Sequence, residues 1–224
     1  MFPGISLFAV ATFVAAASVL SPPPSNAQGV ADCDAPCGFD LVGTTASGTA
    51  DSHGTFSMVV RDSAHNLLPG VDVSIDFSAC FDIHVATVQP DPAVTVTCSN
   101  GATVVHKKTD ANGAVTFSLV GSARLQGPHE PGAGFKCATL RISGNACDGA
   151  SVNVGAYDLN GVGGVNPADI SLIINDSLDY AGHGVYVGRS DYNCTNSVNP
   201  PDIAALIAVS LSFQSLNSGT AYCQ

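Results

Sequence analysis

Asp158-Leu-Asn-Gly-Val-Gly-Gly-Val-Asn-Pro-Ala-Asp169, followed by Ile170 to Leu178, is written a second time 33 residues later as Asp191-Tyr-Asn-Cys-Thr-Asn-Ser-Val-Asn-Pro-Pro-Asp202, followed by Ile203 to Leu211. A repeat at fixed period marks one supersecondary unit that needs a copy beside it to bury its apolar face. Each copy reads as a loop and then a helix. Ile170, Ile173, Ile174 and Leu178 fall at i, i+3, i+4 and i+8, as do Ile203, Leu206, Ile207 and Leu211, which is one helical face. The two helices are therefore expected to pack through Ile170/Ile174/Leu178 and Ile203/Ile207/Leu211. In each loop, oxygen-bearing residues stand at positions 1, 3, 9 and 12, the spacing of a twelve-residue calcium loop. Asn166-Pro167 and Asn199-Pro200 would start helices without any metal, with Asn at the N-cap, Pro at N1 and an aspartate facing the helix dipole. Helix capping accounts for positions 9, 10 and 12. It does not account for Asp and Asn at positions 1 and 3 in both copies.

Tandem loop–helix units ending in Asp at position 12 resemble the dockerin family over about residues 157–213. The resemblance implies calcium (Ca2+) and a protein partner, a cohesin or another surface protein. By position it implies Asp158, Asn160, the Gly164 carbonyl, Asn166 and Asp169 as ligands in the first loop. In the second it implies Asp191, Asn193, Thr195, the Ser197 carbonyl, Asn199 and Asp202. Dockerins carry Asp at position 5 and Gly at position 6. Here Val162 removes one ligand from the first loop, and the second loop has Thr195 and Asn196. Two carboxylates per loop imply weak binding, because affinity rises with ligand charge. The positions that touch cohesin in cellulosomal dockerins hold Pro167-Ala168, Pro200-Pro201, Asn175-Asp176 and Ala208-Val209, with no basic residue among them.

Upstream the pattern changes from helical to alternating. Val71, Val73, Ile75 and Phe77 alternate with Asp72, Ser74, Asp76 and Ser78, and Val115, Phe117 and Leu119 with Thr116 and Ser118. One face is then buried and the other wet. Strands are expected at Thr55–Arg61, Val71–Ser78, Ala93–Thr97, Ala102–Lys107, Ala114–Val120, Lys136–Ile142 and Ser151–Ala156, with Phe39–Thr44 an eighth. Short strands with Asn-Gly turns at 100–101 and 112–113 read as a two-sheet sandwich. Arg61-Asp-Ser-Ala-His-Asn-Leu-Leu-Pro-Gly-Val-Asp-Val-Ser-Ile75 and Thr109-Asp-Ala-Asn-Gly-Ala-Val-Thr-Phe117 resemble bacterial Ig-like domains of the invasin/intimin type. That resemblance implies a fold and leaves the function open.

Ile5 to Leu20 is almost unbroken apolar sequence, and Ser25 and Ala27 stand at −3 and −1 of a cut after Ala27, which reads as a secretory signal peptide. The protein is then expected to be secreted or displayed at the cell surface, with no membrane insertion after cleavage. Seven Lys and Arg against 18 acidic residues give a net charge of −11, which excludes nucleic-acid binding through phosphates. Eight cysteines point to an oxidising compartment. Their connectivity is open, and sequence proximity favours Cys33–Cys37, Cys80–Cys98, Cys137–Cys147 and Cys194–Cys223. The histidines lack metal spacing, no serine-nucleophile motif occurs, and Glu130 is the only glutamate. A hydrolase would need a cleft holding Asp82 and His84 with a nucleophile.

The sequence thus leads to a mainly β protein: signal peptide 1–27, an Ig-like β-sandwich over 28–156, and a small α dockerin-like module of paired calcium loop–helix units over 157–224. It is expected to be a non-catalytic calcium-binding protein attaching to a protein partner in an extracellular assembly, in the setting of polysaccharide degradation where dockerins occur. The alternative is an adhesin or structural spacer whose sandwich does the binding.

Overall fold

The computed structural model describes residues 32–99, 101–124, 136–143, 145–184, 187–219 and 221–223; the signal-peptide expectation falls outside them. Eleven strands are described: β1 (Asp32–Cys33), β2 (Gly38–Leu41), β3 (Thr55–Arg61), β4 (Asp72–Asp76), β5 (Ile83–Val85), β6 (Thr95–Ser99), β7 (Ala102–Lys108), β8 (Ala114–Ser118), β9 (Gly121–Ala123), β10 (Ala138–Ile142) and β11 (Asn145–Ala156). Two α-helices follow, α1 (Pro167–His183) and α2 (Pro200–Ser212). The strands form a six-stranded sheet in the order β2-β11-β10-β4-β7-β6, a three-stranded sheet β1-β3-β8 and a pair β5-β9. Every pairing is antiparallel except β2 with β11. The alternation in β8 does what it predicts, and in β4 the apolar face is buried as expected but Ser74 on the other face is buried as well (4% exposed). Val73, Ile75, Val115 and Phe117 are buried, and Thr116 is exposed beside Ser57. Phe56 and Phe117 stack at 5.3 Å between ring centres, and Phe56 stacks on Phe39 at 4.5 Å, so rings from β3 and β8 meet one from β2.

The expected small α module is not what the chain builds. The fold is sheet-rich, and its two helices belong to the same hydrophobic core as the strands. Ile173, Leu206, Val209, Leu159 and Val198 are buried in one cluster with Leu41, Ile75, Phe117, Leu140 and Val154. The helix stripe is also displaced from its expected position. Ile174 (41% exposed), Leu178 (64%), Ile207 (36%) and Leu211 (68%) face outward, and Ile173, Leu206 and Val209 face inward. Within the face that i, i+3, i+4, i+8 counting selects, the i+3 residues Ile173 and Leu206 point inward and Ile170 and Ile203 pack partly buried on the core, so helices that seat on the sheets turn by less than one residue step and leave the i+4 and i+8 residues outward.

Three disulfides join remote elements: Cys37–Cys194, Cys80–Cys137 and Cys98–Cys223. None is a pairing that sequence proximity favours, because bridges here span the packed fold rather than local loops. Cys147 is disulfide-bonded as well. The bridges suit an oxidising compartment. No helix among the described residues is long and apolar enough to cross a membrane.

The helix ends follow from local chemistry. At α1, Asn166 Oδ1 accepts from the Ala168 amide (2.9 Å) and Asp169 Oδ2 accepts from the Asn166 amide (2.8 Å). Gly184 closes the helix with φ 68°, its amide donating to the Tyr180 carbonyl. At α2 the same closing position holds Phe213, with φ 53° and its ring exposed. A side chain with a Cβ pays to enter the left-handed region, and glycine does not. Phe213→Gly is therefore expected to raise stability by about 1 kcal/mol, read as a higher urea midpoint at unchanged slope.

Candidate functional site

Both loops are built on one plan. Positions 4 and 6 are left-handed in each: Gly161 (φ 70°) and Gly163 (77°) in the first, Cys194 (57°) and Asn196 (61°) in the second. The position-1 aspartates, Asp158 and Asp191, are buried, as are the position-12 aspartates, Asp169 and Asp202. Asp169 Oδ1 accepts from the amides of Leu159 (2.8 Å) and Asn160 (3.0 Å). Asp202 Oδ1 accepts from Tyr192 (2.9 Å) and Asn193 (3.2 Å), and its Oδ2 from Asn199 (3.0 Å). Each position-12 carboxylate thus ties the start of its loop to the start of its helix.

The interiors converge as well. Asp158 Oδ1 and Asn160 Oδ1 both accept from the Val162 amide (3.2 and 2.7 Å). Asp191 Oδ1 and Asn193 Oδ1 both accept from Thr195 (3.0 and 3.1 Å). Asn166 Nδ2 donates to the Val162 (3.2 Å) and Gly164 (2.8 Å) carbonyls. Asn199 Nδ2 donates to the Thr195 (3.1 Å) and Ser197 (2.7 Å) hydroxyls. All eleven residues singled out by spacing and resemblance therefore lie in these two networks, with Ser197 entering through its hydroxyl. Each loop also holds one buried acceptor with only a distant donor: Asp158 Oδ2, near Ser218, in the first and Asn199 Oδ1, at the start of α2, in the second.

Burial raises the pKa of Asp158, opposed by Ser218, which lies beside the carboxylate short of hydrogen-bonding geometry, and by backbone amides. Burial pushes Asp169 up to about 6, with the Asp158 charge adding to it. Asp202 is raised by burial and by the nearby Asp191 charge. Among the described residues no group of three or more His, Cys, Asp or Glu side chains is placed to hold a metal. Each loop brings two carboxylates, and the rest of its oxygens come from amides, carbonyls and hydroxyls.

Three anchors fasten this region to the sheets. Asn153 of β11 donates through Nδ2 to the Gly188 (3.0 Å) and Asp191 (2.9 Å) carbonyls. Ser215, beyond α2, donates to buried Asp51 (2.7 Å) and accepts from the Gly43 amide (3.2 Å), while its carbonyl takes the Val165 amide (2.8 Å). Arg189, in a short 3-10 turn (Gly188–Ser190), lies between two carboxylates, 3.6 Å from Asp82 beside β5 and 3.6 Å from Asp176 on α1. Ser190 Oγ also donates to Asp176. Asp82 is thus committed to Arg189. His84 stacks instead on Tyr222 at 4.6 Å, its pKa pushed down by burial and by Arg124.

A fourth contact is acidic. Tyr157 O–H donates to Asp40 Oδ2 (3.1 Å), and Tyr157 lies 4.5 Å from Tyr192 of the second loop, whose hydroxyl donates to the Ala156 carbonyl. A Cβ on Gly155 would collide with both Asp40 and Tyr192, so only glycine fits where these side chains cross β11. Burial pushes Asp40 up to about 7, the Tyr157 hydrogen bond opposing and the Asp202 and Asp191 charges adding. A raised carboxyl favours the fold fully below its ordinary value of 3.8, and that contribution is lost as pH rises through about 7. Asp40→Asn keeps an acceptor for Tyr157 and cannot ionise. In chelator, the variant is expected to match the parent near pH 4 and to exceed it by on the order of 2 kcal/mol at pH 8, read from urea unfolding at both pH values.

Asn153, Arg189 and Asp40 went unseen in the sequence. The only signal was a polar residue at an inward position of an alternating strand, which Asn153 shows. No family model, curated protein or solved structure matches the chain.

Proposed function

We propose that this is a secreted, non-catalytic binding protein in which the two repeated loops take Ca2+ and the calcium-braced helices meet a protein partner. The observation that carries the reading is the convergence of side-chain oxygens in each loop, Asp158 with Asn160 and Asp191 with Asn193, beside a buried position-12 carboxylate in the spacing of a calcium loop. Asp158, Asn160, Asn166, Asp169 and the Gly164 carbonyl would hold the ion in the first loop. Asp191, Asn193, Thr195, Ser197, Asn199 and Asp202 would hold it in the second. Bound calcium supplies positive charge to carboxylates whose pKa values burial now raises. The chain's own contribution is to fix those oxygens. The position-12 aspartates hold loop to helix, Asn153 holds the second loop to β11, and Arg189 joins α1 to the sandwich.

The partner surface in this reading is the outward stripe Ile174, Leu178, Ile207 and Leu211, with Phe213. Large exposed apolar residues set close together commonly mark interaction sites. Deleting residues 157–224 would remove part of the common core, so point changes are the sound test. Leu178→Glu with Leu211→Glu is expected to abolish calcium-dependent capture of the partner from the source cells' extracellular fraction, with the variant's circular dichroism unchanged. Capture that persists in the variant would move the binding surface to the sandwich loops, the adhesin reading.

A further inference from the structure

We infer that the Cys37–Cys194 disulfide controls calcium binding at the second loop, so that oxidation strengthens binding and bound calcium resists reduction. The inference rests on the calcium reading above. Cys194 is position 4 of that loop, directly between Asn193 and Thr195. Its backbone is left-handed, with φ 57°. The first loop fills the same position with Gly161 at φ 70°, which enters that region freely. A cysteine does so only when something holds it.

What holds it is the sandwich. Cys37 immediately precedes β2, and a Cβ on Gly38 would stand 2.8 Å from Cys194 Sγ, so the loop lies flush on the strand. Asn153 grips the Asp191 carbonyl from the same side. Opening the bridge leaves a non-glycine residue in a costly conformation between two oxygen-bearing neighbours, free to relax and carry Asn193 and Thr195 with it. Calcium would hold those neighbours in place. Two agents that stabilise one loop conformation strengthen each other by the same factor.

The bridge is also reachable. Cys37 is exposed, whereas Cys80 and Cys137 are buried. A dithiol supplies two electrons and two protons. The Sγ–Sγ bond breaks to two thiols, and the dithiol closes to its own disulfide.

The test uses the full secreted chain with dithiothreitol and calcium chloride. Reduced cysteines are alkylated in time course and read by mass spectrometry. At about 10 mM calcium, above the range of extracellular calcium modules, reduction of Cys37–Cys194 is expected to slow about tenfold. Cys98–Cys223, also exposed at Cys98 and outside both loops, should change less than about twofold, and Asp191→Ala should erase the protection. Calorimetry of Cys37→Ser/Cys194→Ser should show calcium affinity at the second loop lowered on the order of tenfold, a typical coupling between two sites. If that variant does not fold, the reduction rates decide alone. Equal slowing of every bridge, or no slowing although calcium binds the oxidised chain, overturns the linkage and leaves the calcium reading intact. No calcium binding to the oxidised chain overturns the calcium reading, and the linkage with it.

Discussion

Arg189→Met is expected to destabilise the protein by about 3–5 kcal/mol, the cost of leaving a buried ion pair with one side missing. Arg189 lies with little exposure between Asp82 and Asp176, one beside β5 and one on α1. Burial already raises Asp176, with Arg189 and Ser190 opposing. Without the guanidinium, both carboxylates must be protonated or exposed, and α1 loses its ionic tie to the sheets. The chain has no Trp and five Tyr, so tyrosine fluorescence and circular dichroism are the probes of unfolding in urea. A triple change, Asp82→Leu, Arg189→Met and Asp176→Leu, should recover most of the loss, because exchanging a whole buried ionic group for apolar residues is often close to neutral. A single variant within about 0.5 kcal/mol of the parent would show that the triad does not join helix to sheets.

Asp202→Ala comes next, at about 3 kcal/mol. Asp202 takes amides from Tyr192, Asn193 and Asn199, so alanine strands three donors around one loop. Each buried donor left unmade costs about 1–3 kcal/mol, and relaxation of the loop returns part of that. If the proposed calcium sites exist, the variant should also lose calcium binding at the second loop and leave that of the first unchanged. Asp202→Asn, which retains one oxygen, should fall between. Equal stability of alanine variant and parent would mean that the carboxylate does not organise the loop.

What was legible in the sequence depended on signals that a side chain carries by itself. Alternation over five or more residues reveals β4 and β8, runs rich in Val, Thr and Phe between turn signals reveal β3 and β7, and Asn-Pro with Asp at N3 reveals both helix starts. The loop residues could be read for the same reason, since Asp and Asn at fixed positions are the chemistry. β1, β5 and β9 have two or three residues, too few for period two to show. The helix face is legible only in part: Ile173 and Ile174 are equally apolar, and packing on the sheets turns Ile173 inward and leaves Ile174 and Leu178 outward. The bridges and the anchors at Asn153, Arg189 and Asp40 join residues far apart in the chain, so their partners exist only once the strands have paired.

The most direct measurement of the central claim is calorimetric titration of calcium into the chelator-treated protein at neutral pH, beside Asp158→Ala/Asp191→Ala. The account predicts saturable binding at or weaker than about 10⁻⁴ M, tighter in the second loop, absent from the double variant and accompanied by a higher unfolding midpoint. A parent chain that shows no heat up to about 10 mM calcium, with α1 and α2 already formed, would contradict it and leave Asn-Pro capping and the disulfides as the whole explanation of the repeat.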